Sequence, residues 1–264
     1  MGLRLERVLD LFKICLSGKI FKEVSEVKSK MQTFMTSTQE TRLVDEEQPA
    51  KVSLVIPALN ESNYIMNPLQ SLKAGSYHNF EAIVVDCMSD DDTVAKARRL
   101  GAKTLISKRR NRGYQTHLGF ISAQGDIIIR TDADTIFPRE VLSNTVKAFN
   151  NKKTMVYHVG HIYYDIGLLM NLVAHLYDKY WRKTWATSGH FIAVRREAYE
   201  KVAFRPLHKG QDFDFGKRAY KIFGPKGFLY DPNTLVLVSS RAIRKIGLLR
   251  YILRQGSFKS TRGS

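Results

Sequence analysis

Acidic residues that directly follow apolar runs set the chemistry this chain could perform. Asp132-Ala133-Asp134 places two carboxylates on either side of a small residue. Oxygen donors so spaced can hold one hard divalent cation, Mn2+ or Mg2+, and leave positions for a diphosphate. An ion held there would act as a Lewis acid on the charge of a departing diphosphate. Asp86-Cys-Met-Ser-Asp-Asp-Asp-Thr93 is a second cluster. Asp91 or Asp92 reads there as a helix cap, satisfying free N–H groups and complementing the helix dipole. Asp86 stands directly after an apolar run, and capping does not explain it. Pro57-Ala58-Leu59-Asn60-Glu61 ends a third run in the same manner.

The elements that would position these residues alternate regularly. Val52–Ile56 is a short β-branched run ended by Pro57, and helical spacing follows through Ile65, Leu69 and Leu72. Phe80–Val85, Thr104–Ile106 and Ile127–Ile129 read as further strands. Helical stretches are expected over Val94–Leu100 and Tyr114–Ala123, and from Pro138 to Phe149 with the proline at the first helical position. Such alternation implies a parallel sheet covered on both faces. Ligands bind such sheets at the carboxyl ends of the strands, where the acids lie. Beyond Thr154 the pattern is irregular, with helices expected over 166–180, 195–203 and 212–223.

Five motifs in order resemble the family 2 glycosyltransferases of the GT-A fold. Val52-Ser-Leu-Val-Ile-Pro-Ala-Leu-Asn-Glu61 looks like that family's opening strand. Asp86, Ser89, Asp91 and Thr93 have the spacing of its D-x-x-S-x-D-x-T, and Gly125–Asp134 that of G-D-x-x-x-x-x-D-x-D. Gly189–Ala198 resembles the strand and helix before the acceptor site, and Gly210–Arg218 the E-D-x-x-x-x-x-R helix. The resemblance implies an α/β domain of GT-A type over 51–240, with a Rossmann-like, mostly parallel sheet. Outside the resemblance, periodicity and charge give an amphipathic extension and linker over 1–50 and a basic amphipathic tail over 241–264. Nucleotide-sugar binding would fall to Pro57, Ala58, Asn60, Glu61, Asp86, Ser89, Arg112, Gly113, Asp132 and Ala133, with Asp86 facing the base. Asp132 and Asp134 would hold the metal, Mn2+ or Mg2+. Asp212 would be the general base, with Gly189, His190 and Gln211 in the acceptor region. Inversion would follow from a single displacement.

Departures from the pattern shape that expectation. The family's Glu-Asp pair is Gln211-Asp212 here, which makes Asp214 a competing base; a helix-surface acid is the preferred reading of Asp214. The usual A-R-N reads Gln115-Thr116-His117, so Arg109, Arg110 or Arg112 is left to bring charge to the diphosphate. Trp181 and Trp185 could stack on a sugar or an isoprene, although core packing is the simpler role. No Q-x-x-R-W follows Asp212, which argues against a processive synthase.

Composition closes off other classes. The 44% hydrophobic content excludes a wholly disordered chain, and two cysteines exclude a disulfide framework. No apolar run approaches the roughly 20 residues of a membrane span, and Glu6, Asp10 and Lys13 interrupt any signal-peptide core. The net charge of +17 suggests an anionic partner. Residues 1–50 are balanced, whereas 241–264 hold seven Lys/Arg and no acid. Leu5, Val8, Leu9, Phe12 and Leu16 open an amphipathic pattern that Ile243–Arg254 repeats. The resemblance implies a nucleotide-diphosphate sugar as partner, with UDP mildly preferred, and the basic amphipathic segments add an anionic membrane surface and a lipid-linked acceptor. The expected location is the cytoplasm, at the membrane face. A nucleic-acid-binding protein and a nucleotidyltransferase are the alternatives; no stacking motif supports the first, and no Gly-rich G-x-G-x-x-R loop the second.

Overall fold

Alternate residues of the apolar runs face opposite sides of one sheet. The structure, a computed structural model, describes residues 50–168, 170–172, 174–175 and 185–246, together with the helical positions Ser25, Lys28, Ser29 and Gln32. The described strands are β1 (Val52–Ala58), β2 (Phe80–Asp86), β3 (Lys103–Ile106), β4 (Ile127–Arg130), β5 (Val156–Tyr163), β6 (Ile192–Arg195) and β7 (Phe228–Val238). Their order in the sheet is β3-β2-β1-β4-β6-β5-β7. The α-helices whose bounds are described are α1 (Met66–Lys73), α2 (Thr93–Arg99), α3 (Arg112–Ser122), α4 (Val141–Asn150), α5 (Arg196–Lys201), α6 (Gln211–Phe223) and α7 (Arg241–Ile246), with further helical positions within 168–175.

Val52, Leu54 and Ile56 of β1 join Ile127 and Ile129 of β4 in one core layer, under Leu69 and Leu72 of α1 and Val141 and Phe149 of α4. Val55, Ile83, Val85 and Ile128 point the other way, against Phe120 of α3 and Phe215 of α6. The period of two in the strands thus sorts their side chains into two cores. The chain moves outward from β1 through β2 to β3, then returns through α3 to place β4 on the other side of β1. That reversal opens a crevice at the carboxyl ends of β1 and β4.

Three expectations need correction. Pro57 does not end β1, which runs on to Ala58 with Pro57 opposite Val85. Backbone groups alternate in direction, and Val55 turns its carbonyl to Thr131 on the β4 side. Pro57 therefore faces that side too, beyond the last pairing, Val55 with Arg130, so its missing N–H costs no ladder bond. Pro138 does not start a helix: its carbonyl accepts from Val141 N in a turn, and α4 begins at Val141. The sheet is mostly parallel, as the resemblance implies, with β6 running antiparallel to both β4 and β5. The irregular stretch after Thr154 contains the strands β5 and β7. β5 is buried on both faces, so it shows no alternation, and β7 carries a bulge opposite Val159 and Gly160 where Pro232 and Asn233 look like a turn.

The boundary expected at residue 240 falls immediately before α7. Apart from the four helical positions, the amphipathic extension lies outside the described residues, as do Trp181 and residues 247–264.

Candidate functional site

Every candidate acid lies at the carboxyl ends of β1, β2 and β4 or at the start of α6. Asp132 and Asp134 follow β4 on a turn, with Ala133 buried between them. Arg130, the last residue of β4, is 0% exposed and donates from Nη2 to Asp132 Oδ1 at 2.8 Å. His190 Nδ1 approaches Asp132 Oδ2 at 3.3 Å. Burial disfavours the charged form of Asp132, but the Arg130 guanidinium and His190 outweigh it and hold the carboxyl well below the usual range. Asp134 behaves oppositely. Burial, then the Asp132 charge, raises its carboxyl, despite an ion pair to Arg241 Nε at 2.7 Å.

Asp212 enters from the other side. Gly210, in the left-handed region at φ 72°, turns the chain into α6, whose first turn carries Gln211 and Asp212. Thr187 Oγ1 donates to the Asp212 carbonyl at 2.6 Å and fixes this end of the helix. Asp212 Oδ1 lies 3.5 Å from Arg130 Nε, and Gln211 Nε2 donates to Oδ2 at 3.4 Å. Burial raises the Asp212 carboxyl, with Arg130 and Arg112 opposing and Asp132 adding to the rise. The close approach depends on Gly189, because a Cβ there would lie 1.8 Å from Arg130 Nη1 and 2.8 Å from Asp212 Oδ2.

The β1 and β2 ends form an adjoining loop cluster. Asp86, nearly fully buried, accepts from Ser89 N at 2.8 Å and from the Ser89 hydroxyl. Asn60, at φ 55°, donates its N–H to Ser89 Oγ at 2.8 Å and accepts from Asp90 N at 3.2 Å. Glu61 N–H donates to Thr93 Oγ1 at 2.8 Å, and Ser62 N–H to Asp91 Oδ2 at 3.0 Å. Asp91 caps α2 through Thr93 N; these hydrogen bonds overcome burial and bring its carboxyl to about 2.

Glu61 joins the two clusters, since Arg241 of α7 grips it with contacts of 2.6 and 2.9 Å while also reaching Asp134. Arg244 pairs with Asp165 at 2.6 Å, and Ile243 is buried in the core. The first turns of the basic C-terminal segment are therefore seated on the site.

Several sequence candidates have structural positions. Gly113 packs against backbone, since a Cβ would meet the Arg205 carbonyl at 2.1 Å. Arg112 beside it is close enough for its charge to lower both Asp132 and Asp212, whereas Arg109 stacks on Tyr114. Gln115, next to the Thr116 that stands where the resemblance expects an arginine, donates to the carbonyls of Ala58 and Val85 at 2.9 and 2.8 Å, and so clamps β1 to β2. Asp214 is paired with Arg218 at 2.8 Å on the helix surface. Trp185 packs edge-on against Phe213. Sequence reasoning missed Arg130 and Arg241. Arg130 carries a legible signal, a charge that closes the run Ile127-Ile-Ile129; Arg241 carries none beyond its basicity.

Asp132 and Asp134 fit a divalent cation. Both give hard oxygen donors, and a cation would relieve the repulsion that raises Asp134. Among the described residues no third His, Cys, Asp or Glu completes a protein cage.

A sheet with its strand order reversed at the acid-lined crevice, flanked by helices, defines a GT-A-type α/β domain. The chain belongs to glycosyl transferase family 2, whose family model matches residues 53–203. It is 29% identical over 184 residues to the dolichol-phosphate mannosyltransferase of Pyrococcus furiosus, covering 60% of this chain and 49% of that protein. It is 33% identical over 106 residues to an undecaprenyl-phosphate 4-deoxy-4-formamido-L-arabinose transferase of Pseudomonas syringae, covering 36% of this chain and 31% of the relative. The chain thus spans about half or less of the length of these curated relatives. Among solved structures, a mannosyltransferase from Pyrobaculum calidifontis in complex with GDP-Man and Mn2+ superposes with a TM-score of 0.58 at 20% identity, covering 95% of this chain and 76% of that one. Glucosyl-3-phosphoglycerate synthase from Mycobacterium tuberculosis, in complex with Mn2+, UDP and glucosyl-3-phosphoglycerate, also gives 0.58 at 20% identity, with 86% and 90% covered.

Proposed function

We propose that this chain transfers a sugar from a nucleotide-diphosphate sugar to an acceptor hydroxyl or phosphate by a metal-dependent, inverting, nonprocessive displacement. The supporting observation is the convergence of Asp132 and Asp212 on one guanidinium, at 2.8 and 3.5 Å. Donor-side and acceptor-side carboxylates therefore share one wall of the crevice. Pro57, Ala58, Asn60, Glu61, Asp86 and Ser89 line the nucleoside side, and Arg112 brings positive charge toward the diphosphate. Asp132 and Asp134 would hold a divalent ion, which would supply Lewis-acid neutralisation of the leaving diphosphate. With a hydroxyl acceptor, Asp212 takes the proton as the oxygen attacks the anomeric carbon from the opposite face. Its raised carboxyl makes it a stronger base than an exposed aspartate once ionised. Gly189, His190 and Gln211 shape the acceptor side.

The acceptor we favour is a membrane lipid, a polyprenyl phosphate or a glycolipid hydroxyl, and the hydroxyl is the case in which Asp212 is needed as the base. Two relatives are named for dolichol-phosphate and undecaprenyl-phosphate, and the basic segments suit an anionic bilayer at about 1 kcal/mol per Lys or Arg near the surface. Among the described residues no helix is long and apolar enough to cross a membrane; the proposed attachment runs through the basic segments, peripherally at the cytoplasmic face. UDP is the mildly preferred nucleotide. Family membership weighs against the nucleotidyltransferase and nucleic-acid readings. A nucleotide-sugar panel with Mn2+ or Mg2+, read by thermal shift and by sugar transfer, tests the proposal. Stabilisation and transfer with one nucleotide sugar support it; salt-sensitive RNA retention with no nucleotide-sugar binding would reverse it.

A further inference from the structure

Arg130 is out of place by residue type. It closes a strand whose other members are Ile127, Ile128 and Ile129, and its side chain is wholly buried. Burying a guanidinium is costly unless its donors are matched. One donor is matched, Nη2 to Asp132, while Nε and Nη1 make no hydrogen bond. Asp212 Oδ1 is likewise buried without a hydrogen bond. The atom facing it at 3.5 Å is Arg130 Nε, so the two unsatisfied atoms of this ion pair face each other. A closure of about half an ångström would make a charge-assisted hydrogen bond. Such contacts are commonly long in a ligand-free site and tighten around substrate. Gly189 leaves the space that the guanidinium fills. At the neighbouring position the uncharged Gln211 leaves Arg130 between two carboxylates, Asp132 and Asp212.

We propose that Arg130 is a positioning residue, whose rigid planar fork ties Asp212 to Asp132 and so sets the acceptor-side base at a fixed place relative to the bound donor. This rests on the reading of Asp212 as the base. Arg130 acts through Asp212, and lysine is a poor replacement, because an ammonium on a flexible stem lacks the fork that spans both carboxylates.

A double-mutant cycle on the full chain tests the assignment, with kcat measured at saturating donor to separate turnover from donor affinity. Arg130→Met is expected to lower kcat by ~10²-fold, and Asp212→Asn by ~10²- to 10⁴-fold. Adding Arg130→Met to Asp212→Asn is expected to change kcat by less than about threefold, since a misplaced base costs nothing once the base is gone. An equal Arg130→Met penalty in both backgrounds, or no penalty in the parent chain, overturns the proposal. Full activity in Asp212→Asn removes instead the base reading on which it stands. Thermal melts accompany each variant. If Arg130→Met does not fold, Arg130→Lys keeps the charge and stem and is read through the same cycle.

Discussion

At the scale of single residues, the site separates carboxylates that are chemically alike. Asp132 is held ionised by Arg130 and His190, whereas burial keeps Asp212 and Asp134 above their ordinary range. The acid limb of kcat/KM should therefore lie above the ordinary aspartate pKa of about 3.9, with activity lost as pH falls and Asp212 takes up a proton. A limb at or below that value would contradict the base assignment. Asp91 has the opposite sign. Its folded-state carboxyl lies at about 2, so its contribution to stability is present above the unfolded aspartate value and fades as pH drops toward 2. Asp91→Ala should cost about 1 kcal/mol at neutral pH, measurable by urea denaturation, with the difference shrinking in acid. An unchanged unfolding midpoint would show that the cap contributes nothing.

At the scale of elements, the strand ends are useful only because something holds them in register. Gln115 does this for β1 and β2 through two buried carbonyls. Gln115→Leu removes both bonds, while the Ala58 carbonyl keeps its bond from Cys87 N, and should destabilise the fold by about 1 kcal/mol, read as a lowered Tm. α7 adds a second restraint, and Arg241→Ala should cost about 1–3 kcal/mol by leaving Glu61 and Asp134 without their cation. An unaltered Tm would mean that α7 is not held through this contact. These two restraints also mark where the sequence stops being legible. The first four strands could be read because each is an apolar run closed by polar residues, and the acids of the site fall directly after them. β5 could not, because strands buried on both faces do not alternate, and β7 was hidden by its bulge. Gln115 could be read only as a departure from a motif, because a buried amide that caps two strand ends has no periodicity. Arg241 was invisible as a site residue, since its partners lie 180 and 107 positions away and basic residues are plentiful in that segment.

At the scale of the whole molecule, the charge of +17 divides by location. Arg130 and Arg241 are consumed inside the site, Arg112 faces it, and the rest of the basic C-terminal segment continues beyond α7. Membrane attachment should therefore be electrostatic. Flotation with anionic vesicles should recover the full chain at low salt and lose it as salt rises; salt-independent binding, or none, would contradict the peripheral reading. The central claim is that Asp132 and Asp134 form a metal-dependent donor site in a sugar-transferring crevice. Its most direct measurement is nucleoside-diphosphate release from nucleotide sugars in the presence of polyprenyl-phosphate vesicles, with Mn2+ and then with chelator. Release that needs both acceptor and metal, and that vanishes in Asp132→Ala/Asp134→Ala, is the predicted result. Equal release without metal, or in the double variant, would contradict it.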